Sequence, residues 1–258
     1  MTGAAAEAGS AALPERPYAT LAPYFARLFE PRGVRRWFKA AHGLVTAAGV
    51  VGGLHLDVGA GTCRYSRYWT LAGFRTVCVD LLHQMLVRAR VRGIERQLHR
   101  VCGTVDCVRP TGLVDLATAI DDVVAYVGAQ PGGLDDFLDR LGPRIRRGGL
   151  FLFDFITPDG RSRYTFRNSR ALPEGRIVAD SRGQFDEAGR VLRVDLTLTA
   201  PDHVAHELHV LRLYTVDEIR TALQRHGFDV VAVTDLYDGD GTAYEAGLAS
   251  YDLLARRR

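Results

Sequence analysis

The chain has 258 residues, 47% of them hydrophobic and 24% charged, a balance that supports one large buried core in a globular protein. Its formal net charge is +3, and acidic residues accompany the basic ones along the chain, which excludes the basic stripe of a dedicated nucleic-acid binder. Lys39 is the only lysine and lies between Phe38 and Ala40, so a phosphate loop of the G-x-x-x-x-G-K-[ST] kind is excluded and a Schiff base would have to use Lys39 itself.

The first 13 residues are rich in Ala and Gly and lack a basic start followed by an apolar run, so no secretory leader is expected and residues 1–17 read as a flexible tail. From Tyr18 to Ala48 apolar residues recur at helical spacing, broken at Pro31-Arg32-Gly33, which predicts two helices. The apolar stretch from Leu44 to Leu54 meets His55 and Asp57 too soon for a membrane span of about 20 residues. Apolar and amphipathic runs then alternate: Leu54 to Val58 and a helix from Tyr65, Thr76 to Val79 and a helix across Met85 and Ala89. Strands follow at His99 to Cys102, Leu116 to Ile120 and Leu150 to Phe155, with a helix from Leu134 to Ile145. Five strand candidates joined by crossovers predict a parallel, doubly wound sheet.

Between Pro158 and Tyr214 the period changes to two, as in Arg193 to Leu198 and His206 to Leu211, with turn residues at Glu187-Ala188-Gly189 and Pro201-Asp202. This predicts a small antiparallel sheet inserted after the fifth strand. Thr215 and Glu218 are spaced as a capping box for a helix ending at Gly227, and Phe228 to Val233 with Ala249 to Leu254 complete seven strands. The expected organisation is α/β: a tail over 1–17, helices and core over 18–157, the inserted sheet over 158–214, and the rest of the core over 215–258. Cys63, Cys78, Cys102 and Cys107 form no CxxC pair and have no His-x-x-x-His set near them, so no metal site is expected. Free thiols in a reducing cytoplasm fit.

The segment Leu54 to Arg64 carries the chemistry: a strand enters a turn at Gly59-x-Gly61 and leaves into a helix. Glycine lets the backbone approach a ligand and presents N–H groups at a helix start. Asp80, 21 residues after Gly59, ends the next strand, where its carboxylate can accept from both hydroxyls of a ribose. Asp57 precedes the first glycine by two residues.

Leu56-Asp57-Val58-Gly59-Ala60-Gly61-Thr62 resembles motif I of class I S-adenosylmethionine (SAM) dependent methyltransferases, and Val79 to Leu86 resembles its continuation. Arg147 to Phe151, Tyr214 to Glu218 and His226-Gly227-Phe228 resemble the family's later segments, so the likeness spans nearly all of 18–256. It implies a Rossmann-like seven-stranded sheet, mostly parallel with its last strand antiparallel. It also implies SAM as cofactor and a small-molecule acceptor under the inserted sheet, as in amino-sugar N-methyltransferases. By position, Gly59, Ala60 and Gly61 would line the methionine part, Asp57 would hold that end, and Asp80 would take the ribose. Leu81 and Met85 would pack on adenine, Thr104 and Val105 would meet its edge, and Ala119 would lie near the sulfonium. The chain departs from the pattern at Cys63 for a third glycine, Thr104 for an aspartate that Asp106 would replace, Leu82 for a serine, and Phe25-Ala26 for a Tyr-Asp pair.

The candidate catalytic residues are Tyr126, in a segment matching the family's substrate-adjacent stretch, Asp154 at the end of the fifth strand, and His209 on the inserted sheet. Asp154 reads equally well as the cap of a turn, and His206 and His209 face opposite ways along one strand, so at most one of them enters the pocket. Asp121 and Asp122, read as strand neighbours, would also face apart. Methyl transfer to nitrogen or oxygen of a small molecule is the leading reading. The alternatives are a non-methylating cyclisation, elimination or hydrolysis on the same fold, a non-catalytic partner, and a nicotinamide dehydrogenase, the last disfavoured because Arg64 stands where close helix packing needs Gly or Ala. A homodimer is left open; no nucleic acid or membrane partner is expected.

Overall fold

The computed structural model describes residues 17–29, 33–108, 113–236 and 249–258. The predicted tail, apart from Pro17, and the Pro31-Arg32 break lie outside the described residues. In chain order the elements are α1 (Phe25–Leu28), α2 (Val34–Ala47), β1 (Gly53–Val58), α3 (Ser66–Leu71), β2 (Phe74–Asp80), α4 (His83–Leu86), β3 (Leu98–Cys102) and β4 (Val114–Ala119). They continue with α5 (Val123–Gly128), α6 (Gly133–Leu141), β5 (Ile145–Ile156), β6 (Phe166–Leu172), β7 (Gly175–Asp186), β8 (Val191–Thr199), β9 (Val204–Arg212), α7 (Val216–Arg225), β10 (Phe228–Thr234) and β11 (Ser250–Arg257).

The main sheet has the order β10-β11-β5-β4-β1-β2-β3. β1 pairs in parallel with both β2 and β4, while β11 runs antiparallel to β5 and to β10. The chain winds outward from β1 in one direction through β2 and β3, then in the other from β4, so a crevice opens beyond the C-terminal ends of β1 and β4. β5 shows why the sheet is buried on both sides: Phe151, Phe153 and Phe155 join one core cluster, and Leu150 and Leu152 join another around Trp37 and Trp69.

The second sheet, β6-β7-β8-β9, is antiparallel throughout. Leu192, Val194 and Leu211 of this sheet, the roof sheet, pack with Ala125 of α5, which seats it beside the crevice. Leu21 and Leu28 of the N-terminal strap, residues 17–29, pack with Ile177, Ala179 and Leu196 of the same sheet.

Two predicted boundaries move and one helix is new: the helix expected across Met85 and Ala89 ends at Leu86. The helix expected to run to Ile145 stops at Leu141, because Gly142 and Pro143 turn the chain into a 3-10 segment and β5 starts at Ile145. α5 was not anticipated at all, since a six-residue helix is too short to show a periodic face. The capping box at Thr215 and Glu218 is present, each side chain bonded to the other's backbone N–H.

Candidate active site

At the crevice, β1 ends in a turn with Gly59 at φ +67° and Gly61 at φ +53°, conformations that disfavour a Cβ. A Cβ on Gly59 would overlap the Val123 Cγ2 methyl, and one on Gly61 would stand 3.3 Å from Met85 Cε. Asp80 fixes this turn from the neighbouring strand: its Oδ2 accepts the Gly61 N–H at 2.8 Å and its Oδ1 accepts the Leu82 N–H at 2.8 Å. Burial raises its pKa against those two bonds. Asp57 lies behind the turn, 3% exposed, accepting from Ser66 and from Thr118 Oγ1, the latter at 2.6 Å. Burial pushes its pKa up to about 6. His55 bridges Thr118 and Thr76 in the core, and burial lowers its pKa to about 3, so it is neutral.

A cavity of about 750 Å³ opens over this turn. Of the residues expected to hold SAM, Asp57, Gly59, Ala60, Gly61, Asp80, Leu81, Met85, Thr104 and Val105 all border it. Ala119 does not: it is wholly buried in the core at the end of β4, and the cavity wall is made by Ile120 and Asp121 beyond it. Leu81 is 64% exposed, an apolar surface left bare at the cavity. Asp106 also borders the cavity, held by Arg140 at 2.8 Å and Arg144 at 3.3 Å, with the Thr104 hydroxyl at 3.3 Å. The bond from Arg140 keeps its carboxyl below the usual range.

The Cys63 thiol turns the other way. Its residue is 2% exposed and packs with Cys78, Leu86 and Leu98 on the core side of the turn, so the extra side chain costs the cavity no room.

The reading of Asp121 and Asp122 as strand neighbours is corrected. Both lie past β4 in a turn with φ +66° and +68°, and Asp154 holds that turn by accepting the Asp121 and Asp122 N–H groups at 3.1 Å each. Asp154 is 8% exposed, caps this turn, and is not among the residues that border the cavity. Burial, then Asp122 and Asp121, raise its pKa well above the ordinary value. Asp121 faces the cavity, paired with Arg64 and accepting the Tyr65 hydroxyl at 2.8 Å; Asp122 accepts the Tyr164 hydroxyl at 2.6 Å.

Tyr126 on α5 also borders the cavity, and its hydroxyl lies 2.7 Å from His209 Nδ1 and 3.0 Å from the Tyr18 hydroxyl. His209 is 4% exposed and lies behind Tyr126, not in the cavity wall. Its Nε2 is 3.0 Å from Glu207 Oε2. The structure therefore joins two of the three expected catalytic residues, Tyr126 and His209, and sets Asp154 apart. Sequence reasoning missed Tyr18, Arg64 and Glu207. Strand parity did carry a signal for Glu207, which shares a face of β9 with His209. Arg64 and Tyr18 had none, because one belongs to a helix entry and the other to an irregular strap.

No family model matches the sequence, and no curated protein matches it. Solved structures do. A SAM-dependent methyltransferase from Clostridium acetobutylicum matches with TM-score 0.75 at 18% identity, over 93% of this chain and 98% of that one. The CcbJ methyltransferase from Streptomyces caelestis matches with TM-score 0.72 at 15% identity, over 92% and 96%. The sugar N-methyltransferase KedS8 from a Streptoalloteichus species matches with TM-score 0.71 at 18% identity, over 100% and 99%. The chain has the fold of SAM-dependent methyltransferases.

Proposed function

We propose that the chain transfers a methyl group from SAM to a nitrogen or oxygen of a small molecule. The observation that carries this reading is the glycine turn, with Asp80 locked to it, lining a cavity that Tyr126 also borders. The residues fit an adenosyl ligand: the turn at Gly59 and Gly61 has no side chain to obstruct it, and Leu81 and Met85 offer apolar surface. Both Asp80 oxygens keep a lone pair beyond the bonds they accept from the backbone. When bound, SAM supplies an electrophilic methyl group on a cationic sulfur. Asp57, Asp80 and Asp121 give the cavity an acidic character that Arg64 and Arg140 offset only in part, which suits a cation. The roof and the strap exclude water and hold the acceptor in line, which supplies most of the rate in such a transfer.

A nitrogen acceptor is favoured by the acidic cavity, and KedS8 is described as a sugar N-methyltransferase. Two of the four departures from the family pattern have benign placements: Cys63 faces the core, and Thr104 leans on Asp106. We place the protein in the cytoplasm, supported by four cysteines that are all free, and size-exclusion chromatography separates monomer from homodimer. Among the described residues, no helix is long and apolar enough to cross a membrane.

Titration calorimetry with SAM and with S-adenosylhomocysteine tests the proposal. We expect dissociation constants in the range of about 1–100 µM, comparable with ordinary enzyme substrates. No heat from either ligand at tens of micromolar protein would refute it.

A further inference from the structure

One buried carboxylate does two jobs in this site. Glu207 on β9 is 2% exposed and accepts five donors. Four come from the strap: the Tyr18 N–H at 2.8 Å, the Thr20 N–H at 2.7 Å, the Leu21 N–H at 3.0 Å and the Thr20 hydroxyl. The fifth is His209 Nε2 at 3.0 Å. Tyr18 sits at φ +67°, a conformation that a tyrosine adopts only when its surroundings impose it. Those surroundings are Glu207 on its N–H and Tyr126 on its hydroxyl.

The bonds fix the protons. An ionised Glu207 is acceptor-only, so the His209 Nε2 facing it carries a proton, and on a neutral ring Nδ1 is then the acceptor. Burial would push the Glu207 carboxyl up, but the bonds from His209, Thr20, Leu21 and Tyr18 together hold it below the usual range, so it stays ionised. Tyr126, whose pKa is raised well above the ordinary value by burial, keeps its phenolic proton, with the Tyr18 hydroxyl at 3.0 Å and His209 Nδ1 at 2.7 Å as the acceptors within its reach.

We propose that Glu207 is a positioning residue that couples closure of the strap to proton removal: by gripping residues 18–21 it seats Tyr18 over the cavity, and by the same carboxylate it sets the His209 tautomer that lets Tyr126 take a proton from the acceptor. The inference rests on the reading of Tyr126 as facing the acceptor. An amine that enters as an ammonium must lose a proton before its lone pair attacks. That proton passes to Tyr126 Oη while the Tyr126 proton passes to His209 Nδ1, giving an imidazolium beside the Glu207 carboxylate and a neutral amine. When the strap opens, the grip on His209 is exposed to water and the proton leaves to solvent.

The test reads the protein without its acceptor. In protein labelled with nitrogen-15 histidine, a long-range proton–nitrogen correlation spectrum reports which His209 nitrogen carries the proton. The wild type should show the proton on Nε2; a proton on Nδ1 would overturn the proposal with no variant needed. In Glu207→Gln the side-chain amide offers a donor to Nε2, so the proton should move to Nδ1, and the Tyr18, Thr20 and Leu21 amides should exchange with deuterium at least tenfold faster. An unchanged tautomer or unchanged exchange in a folded Glu207→Gln protein would equally overturn it. Calorimetry with SAM on both proteins keeps the two ideas apart. Loss of SAM binding in the wild type sinks the methyl-transfer reading alone, while the tautomer and exchange results decide the role of Glu207.

Discussion

Replacing Gly59 by alanine probes the turn on which the site is built. Two costs arise. The residue sits at φ +67°, where a Cβ crowds the following carbonyl by about 1–2 kcal/mol. The same Cβ would overlap Val123 Cγ2 and stand 3.1 Å from Cγ1, and because Val123 begins α5 it can yield only by shifting that helix, an overpacking cost of about 1–3 kcal/mol. The sum is about 2–5 kcal/mol, and at roughly 2–4 °C per kcal/mol for a chain of this size the melting temperature should fall by about 5–15 °C. Scanning calorimetry measures this, and titration with SAM at a temperature where the variant is folded should show at least a tenfold weaker affinity, since α5 would press into the cavity. The double variant Gly59→Ala with Val123→Ala separates the two costs: it removes the clash, leaves the dihedral penalty and loses some packing. A Gly59→Ala protein with unchanged melting temperature and unchanged SAM affinity would refute the placement of this turn.

Three other outcomes follow from the same geometry. Asp80→Asn puts an amide where one of two backbone N–H groups now finds an oxygen, so it should cost about 1–3 kcal/mol in a denaturant titration and weaken SAM more than tenfold. Cys63→Ala should lower stability by about 1 kcal/mol through a small cavity while leaving SAM affinity within about twofold, because the thiol faces the core; a large affinity change would place the thiol in the cavity after all. Asp252 is held by Trp37 Nε1 and the Leu236 N–H, and burial raises its pKa to about 7. A carboxyl with a raised folded pKa binds its proton more tightly when folded, so its ionisation lowers stability as pH rises from about 4 to about 7, a cost complete above that window. Asp252→Asn removes this titration. Relative to wild type its stability should improve between pH 4.5 and pH 8 by about 1–3 kcal/mol, read from denaturant midpoints, and no relative change would contradict the assignment.

The parallel core was legible because its central strands β1, β4 and β5 are apolar enough to be buried on both faces; Leu150 to Phe155 needed no context to read as a central strand. Gly59, Gly61 and Asp80 were legible for a related reason: they act through backbone shape and a strand end, which sequence spacing encodes. Tyr126 and His209 were candidates in the sequence, but their junction with Tyr18 and Glu207 was not legible. Tyr18 and Glu207 come from opposite ends of the chain and meet only because the strap packs on the roof sheet, and no local pattern announces a contact across 189 positions. Asp121 and Asp122 failed for another reason: their left-handed conformation is imposed from β5 by Asp154, and nothing in an Asp-Asp pair foretells it.

The roof sheet is one continuous stretch of chain, β6 to β9, and it leaves and re-enters the main sheet between β5 and α7. Its four strands pair only with one another, so their hairpin tips and lengths can change without disturbing the main sheet. A protein engineer can exchange this one contiguous stretch by grafting, with Ala125 and Leu211 marking the seam that any transplant must still fill.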